Sequence, residues 1–260
     1  GAGPAHEAAL PSRRAHGGKT IYGARVGILM LDTVFPRIPG DVGNAGTWPF
    51  PVFYRVVQGA SPQRVVCDRA EGLLDAFVEA GRQLVADGAD GLTTTCGFLA
   101  LFQEPLSRAV NVPVASSSLM QVPLVQKLLP AGRRVGVMTV SSQDLSADHL
   151  LAAGAPEDTP VIGTENGREF SSCILENRTR MDITACRLDL LESGRQLIAE
   201  HPDVGAVVLE CTNMGPYAAD LRRELEIPVF SAVSFINWFQ SGLLPRVYTG
   251  TTADPRLSTT

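Results

Sequence analysis

Two patterns alternate along the chain. Short apolar runs of four to eight residues, of the kind buried on both faces of a parallel sheet, are separated by longer segments with apolar residues at helical spacing. The first run is Arg25-Val26-Gly27-Ile28-Leu29-Met30-Leu31-Asp32, and Val135-Gly136-Val137-Met138 resembles it. Leu73, Phe77, Ala80 and Leu84 lie along one face of a predicted helix that Asp68 caps and Gly88 ends. Ile183, Leu190 and Leu197 mark a second long helix from about Asp182 to Glu200. Further strands are predicted at Phe53–Val57, Gly91–Cys96, from Asn111 into the serines at 116–118, at Val161–Thr164, Ala206–Cys211 and Ile227–Ser231. Further helices are predicted at Phe98–Val110 (broken near Pro105), before Leu129, from Ser142 or Ser141 to Leu151, from Pro216 to Glu224 and around Trp238.

The pattern occurs twice. Gly81-Arg82-Gln83-Leu84 and Gly194-Arg195-Gln196-Leu197 are 113 residues apart, Cys96 and Cys211 are 115 apart, and Pro113 and Pro228 are also 115 apart. Landmarks in one order at nearly one offset indicate a domain duplication, with a period too long for a solenoid. Strands alternating with helices give an α/β fold. Two pseudosymmetric lobes are expected, each a parallel sheet flanked by helices, with an active site in the cleft between them. The expected boundaries are 25–131 for the first lobe, with C-terminal elements available to complete it, and 132–247 for the second. Residues 1–24 read as a disordered leader and 248–260 as a tail.

Each half carries a strand that ends on a cysteine, Thr93-Thr94-Thr95-Cys96-Gly97-Phe98 and Val208-Leu209-Glu210-Cys211-Thr212-Asn213. This places each thiol at the carboxyl end of a strand and at the mouth of the next helix, where backbone N–H groups favour a thiolate. The chain has five cysteines with long spacings and no Cys-x-x-Cys pair. Neither a disulfide framework nor a metal site is expected, and free thiols fit a cytoplasmic setting. A net charge of −5 over 260 residues argues against a nucleic-acid or anionic-membrane partner. No apolar run is long enough to span a bilayer.

The paired Thr-Cys-Gly-Phe and Glu-Cys-Thr-Asn segments resemble the aspartate/glutamate racemase superfamily over most of residues 25–245. Its members include cofactor-independent amino-acid racemases, hydantoin racemases, arylmalonate decarboxylases and maleate isomerases. The resemblance implies a cofactor-independent racemase or epimerase acting at a carbon alpha to a carboxylate, with Cys96 and Cys211 as the two acid/base thiols and no cofactor. In such racemases the first cysteine is usually followed by Asn-Thr, where this chain has Gly97-Phe98. The second is followed by Thr and then commonly His or Glu, where this chain has Thr212 and Asn213.

Inversion needs a proton removed from one face of the carbon and another delivered to the opposite face, which two mirrored groups achieve. Proton transfers of about 3–3.5 Å put the sulfurs roughly 6–7 Å apart, too far for a disulfide. One thiol must be ionised and the other protonated. Asp32, Thr33, Thr95, Gly97, Phe98, Ser117, Thr212 and Asn213 are the expected substrate contacts. Backbone N–H groups of Gly97, Phe98, Thr212 and Asn213 would hold a small carboxylate substrate. The loop Pro36–Pro51, with four prolines and three glycines among its sixteen positions, is a candidate binding loop. Phe98, Trp48 and Phe50 would then favour a substrate side chain less polar than that of aspartate. Glu210 is expected to point away from Cys211, because successive strand residues face opposite sides. Decarboxylase and cis–trans isomerase reactions of the same superfamily stay open, as does a non-catalytic two-lobed binding protein. A homodimer is compatible with this reading.

Overall fold

The computed structural model describes residues 13–254 and 256. Two four-stranded sheets, parallel throughout, form the centres of two α/β lobes. The first contains β1 (Val26–Met30), β2 (Val52–Val56), β3 (Gly91–Thr94) and β4 (Val114–Ala115) in the order β2-β1-β3-β4. The second contains β5 (Arg134–Thr139), β6 (Val161–Gly163), β7 (Val204–Leu209) and β8 (Val229–Phe230) in the order β6-β5-β7-β8. The two orders are the same sequence of crossovers, as a duplication requires. In both sheets the strand order reverses between the first and third strands, so each has a crevice at the carboxyl ends of those strands.

The connecting helices are α1 (Leu74–Asp87), α2 (Gln103–Val110), α3 (Gln121–Leu128), α4 (Ala147–Ala152), α5 (Phe170–Leu175), α6 (Ile183–Glu200), α7 (Ala218–Leu225) and α8 (Ala232–Leu243). Phe77 and Leu84 of α1 and Leu190 and Leu197 of α6 are buried at the helical spacing read from the sequence. Differences sit at the helix ends. The helix expected from Asp68 starts at Leu74, because Arg69 and Ala70 adopt left-handed backbone at φ 57° and 56° and Gly72 has φ 76°. A π-helical turn, Gln63–Cys67, precedes this break. The segment Phe98–Val110 is divided at Phe102/Gln103 into a 3-10 stretch and α2, with Pro105 accommodated in the first turn of α2. Ser146, not Ser142, caps α4, and its hydroxyl and the His149 ring satisfy one another's backbone N–H groups.

The last helix crosses back to the first lobe. Ala232 and Ile236 of α8 pack with Val26 and Ile28 of β1 and with Val42 and Trp48. Gly91 lies against Phe239 and Leu243, so its missing side chain admits the helix close to the sheet. Trp48 therefore belongs to this small core, stacked on Phe50 with ring centroids 5.7 Å apart, and neither ring faces the cleft. Residues 1–12 of the expected leader and 255 and 257–260 of the tail lie outside the described residues. Residues 19–24 are pinned to the first lobe, since Lys19 pairs with Asp90 and the Ile21 N–H bonds the Asp87 carbonyl. No helix among the described residues is long and apolar enough to cross a membrane.

Ile236, 1% exposed, ties α8 to a sheet more than 200 positions earlier in the chain. Ile236→Ala is expected to destabilise the protein by about 2–5 kcal/mol in urea denaturation. A loss below about 1 kcal/mol would show that α8 does not cover the first sheet.

Candidate active site

The carboxyl ends of β1, β3, β5 and β7 converge on one enclosed cavity. Leu31, Thr95 and Cys96 reach it from the first sheet, and Val140, Glu210 and Cys211 from the second. Each cysteine leaves its strand in the same manner. Cys96 is extended at φ −154° and ψ 122°, and its carbonyl accepts the Leu99 N–H to start the turn Gly97–Phe102. The Cys211 carbonyl accepts the Met214 N–H ahead of the turn Gly215–Tyr217. The two loops are joined directly: the Thr212 hydroxyl donates to the Thr95 carbonyl at 2.6 Å. Arg69 to Ser146 and Asp148, and the Val34 N–H to the Asn177 side chain, link the halves further.

Phe35, Pro62, Val66 and Ile174 complete apolar walls around the thiols. The cavity has a volume of about 20 Å³, room for one water. A substrate of several heavy atoms therefore requires the walls to part. All five cysteines are free of disulfides, with Cys96 and Cys211 buried at 7% and 5% exposure. Among the described residues, no group of three or more His, Cys, Asp or Glu side chains is arranged to hold a metal ion.

The two thiols occupy different electrostatic settings. Burial pushes the Cys96 thiol above its ordinary pKa, and the neighbouring Glu210 adds to this. The Phe98 N–H, the Arg37 guanidinium and the Leu99 N–H act in the opposite direction. Burial and Glu210 also raise the Cys211 thiol, with Cys96 and Asp41 adding to the rise; the Asn213 N–H opposes them. The Cys211 Sγ–H also donates to the Asn213 Oδ1 at 3.3 Å, an interaction available only to the thiol. Cys96 is thus the better-supported thiolate and Cys211 the better-supported thiol.

Glu210 was not among the expected contacts. β7 ends at Leu209, so the alternation that would have pointed Glu210 away no longer governs it. Its carboxylate accepts from the Thr139 hydroxyl at 2.6 Å and from the Val140 and Gly97 N–H groups, while burial pushes its pKa up to about 7. Any Cβ at position 97 would collide with the Glu210 carbonyl and carboxylate. The absence of a side chain at Gly97 therefore leaves the space Glu210 occupies, and this glycine is the sequence signal that could have revealed the residue.

Of the expected contacts, the structure brings Thr95, Cys96, Cys211, Thr212 and Asn213 to the cavity wall. Gly97 directs its N–H at Glu210. Phe98, 1% exposed, packs edge-on against His149 at 5.0 Å, behind the wall. Ser117 braces the Cys96 loop, its hydroxyl donating to the Gly97 carbonyl at 2.7 Å and accepting from the Leu119 N–H. Asp32 turns away to accept the Gly59 N–H, and Thr33 accepts from Arg37. Neither Asp32 nor Thr33 lines the cavity.

The charge on Glu210 opposes ionisation of both thiols, and it is lost as pH falls through about 7. Glu210→Gln removes that charge at every pH. The pH profile of iodoacetamide alkylation at Cys96, mapped by mass spectrometry, is expected to move to lower pH in this variant. An unchanged or upward-shifted profile would show that the carboxylate does not act on the thiol.

No family model matches the chain. It is 27% identical over 232 residues to dimethylsulfoniopropionate lyase 7 of Emiliania huxleyi (strain CCMP1516), an alignment covering 84% of this chain and 67% of that protein. It is 27% identical over 247 residues to dimethylsulfoniopropionate lyase of Durusdinium sp. clade D, covering 90% and 81%. Among solved structures, allantoin racemase from Klebsiella pneumoniae superposes with a TM-score of 0.62 at 16% identity, covering 85% of this chain and 88% of that one. A glycine-to-cysteine variant of arylmalonate decarboxylase, in a sulfate-associated form, superposes with a TM-score of 0.58 at 17% identity, covering 84% and 92%. The chain therefore shares its two-lobed α/β fold with allantoin racemase and arylmalonate decarboxylase.

Proposed function

We propose that this chain is a lyase that takes a proton from the carbon alpha to a carboxylate and expels a sulfonium group from the beta carbon, as in dimethylsulfoniopropionate. The observation that carries this reading is the lining of the cavity: two buried thiols enclosed by apolar side chains, with the nearby polar acceptors already engaged. A dimethylsulfonium group has no N–H or O–H to satisfy, so Leu31, Phe35, Val66 and Ile174 can receive its methyl groups. An ammonium group brings three donors, whereas the wall's acceptors, the Glu210 carboxylate and the Asn213 Oδ1, already receive Thr139, Val140, Gly97 and Cys211. The names of the relatives support the same reaction class.

In this reading the substrate carboxylate lies toward the turns that follow the two cysteines, whose N–H groups favour developing enolate charge. The Cys96 thiolate takes the alpha proton and becomes a thiol. The electron pair of the broken C–H bond forms the carbon–carbon double bond, and the pair of the carbon–sulfur bond leaves with sulfur. Dimethyl sulfide departs neutral and needs no proton, and acrylate remains. Cys96 then returns its proton to solvent. Cys211, held as a thiol, serves the carboxylate or enolate as a hydrogen-bond donor.

A second reading, a racemase or epimerase, is favoured by one feature: thiols from corresponding positions in the two lobes face one cavity. There Cys211 would deliver a proton to the opposite face of the carbon, and both thiols would be indispensable. The two readings differ in product.

Headspace gas chromatography of the protein with dimethylsulfoniopropionate is expected to show dimethyl sulfide release. Cys96→Ser is expected to reduce the rate by about 10²–10⁴-fold, the range for loss of a positioned base. No release from the wild-type protein, together with deuterium uptake from D₂O at the alpha carbon of a 2-substituted acid, would replace the lyase reading by the racemase one.

A further inference from the structure

The loop Pro36–Pro51 contributes no side chain to the cavity wall, yet it carries a deeply buried acid close behind it. Asp41 is 2% exposed, and both its carboxylate oxygens are committed. One accepts from the Arg37 guanidinium at 2.9 Å and from the Gly43 N–H at 2.7 Å, and the other accepts the Asn213 side-chain amide N–H at 2.5 Å. The loop is anchored at this place. The Val42 N–H bonds the Thr212 carbonyl, the Tyr54 hydroxyl reaches the Val42 carbonyl, and Thr47 ties Gly40 to Asp41. Gly40, at φ 99°, lies so close to Pro216 and Gly215 that a side chain on either glycine would separate the loop from the Cys211 turn.

The chemistry of a carboxylate fixes what this contact does. An ionised Asp only accepts hydrogen bonds, so it must take the NH₂ end of Asn213. The other end of the amide, Oδ1, is then the end presented to Cys211, and an oxygen there accepts a proton from a thiol but repels a thiolate. We propose that Asp41 is a positioning residue: by orienting the Asn213 amide through the chain Arg37–Asp41–Asn213–Cys211, the loop keeps Cys211 protonated and leaves ionisation to Cys96. This deepens the proposed function and rests on it only in taking the two thiols as the working groups.

Of the groups that face Cys211, the Asn213 N–H favours its ionisation and the charged ones oppose it. Glu210 on its own loop, Cys96 across the cavity and Asp41 from the loop all oppose its ionisation. Arg37, which would favour a thiolate, is paired with Asp41 and acts on Cys96. Asp41→Asn removes a negative charge, frees Arg37 and offers Asn213 a partner that donates as well as accepts. The Asn213 amide can then turn its NH₂ to the sulfur.

The test is iodoacetamide alkylation at pH 8, with Cys211 and Cys96 quantified separately by mass spectrometry. The two thiols share a cavity, so their ratio cancels changes in access. Asp41→Asn is expected to raise the Cys211-to-Cys96 ratio by about tenfold, as for one unit of pKa. Asn213→Ala, which removes the acceptor alone, is expected to raise it in the same direction, and adding Asp41→Asn to Asn213→Ala is expected to change it less than Asp41→Asn does alone. Equal gains at both thiols, or an unchanged ratio in Asn213→Ala, would overturn the positioning role. Alkylation needs no substrate, so a shifted ratio in a protein that releases no dimethyl sulfide would retire the lyase reading and keep this one.

Discussion

The hydrogen bond from the Thr212 hydroxyl to the Thr95 carbonyl joins the residues beside the two cysteines. Everything at the site depends on this closure. A parallel sheet exposes its reactive edge at the strand carboxyl ends, and two such edges can share a cavity only if their loops meet. Here they meet through neighbours of the thiols. Cys96 and Cys211 therefore face one small space, while the sheets behind them supply rigid, fully buried backbone.

Closure excludes water, and excluded water makes charge expensive. Both thiols and Glu210 are held above their ordinary ionisation ranges by burial first and by one another second. The asymmetry needed for one-way proton transfer comes from what surrounds each sulfur. Backbone N–H groups and Arg37 favour the Cys96 thiolate, whereas the Asn213 carbonyl oxygen accepts from the Cys211 thiol. A duplicated fold thus supplies two equivalent positions, and residues that differ between the repeats make them chemically unequal. Asp41 and Arg37 lie in the β1–β2 connection, whose counterpart between β5 and β6 carries α4 instead.

Much of this architecture was legible in the sequence because it is periodic. The apolar runs, the 115-residue offset and the two strand-ending cysteines define two like lobes with a cleft. What stayed hidden depends on geometry that pattern does not carry. Glu210 follows a strand end, where alternation stops applying, and its position is set by the absence of a side chain at Gly97. Asp32 was a reasonable contact at the end of β1, yet the Gly59 N–H captures its carboxylate. The Pro36–Pro51 loop was recognisable as unusual, but its link to Cys211 passes through an amide whose orientation only the folded structure fixes. The turn from an isomerase expectation toward a lyase came from the relatives and from the apolar wall, both beyond the reach of the cysteine motif.

The central claim is that a thiolate on one side of this cavity removes the alpha proton during elimination. A dimethylsulfoniopropionate carrying a single deuterium of known configuration at the alpha carbon tests it most directly, with the acrylate product analysed by mass spectrometry. A base fixed on one side takes only one of the two prochiral hydrogens. One configuration should therefore yield acrylate that has lost the label completely, and the other acrylate that has kept it. Partial loss from both configurations, or release of dimethyl sulfide without acrylate, would contradict the account.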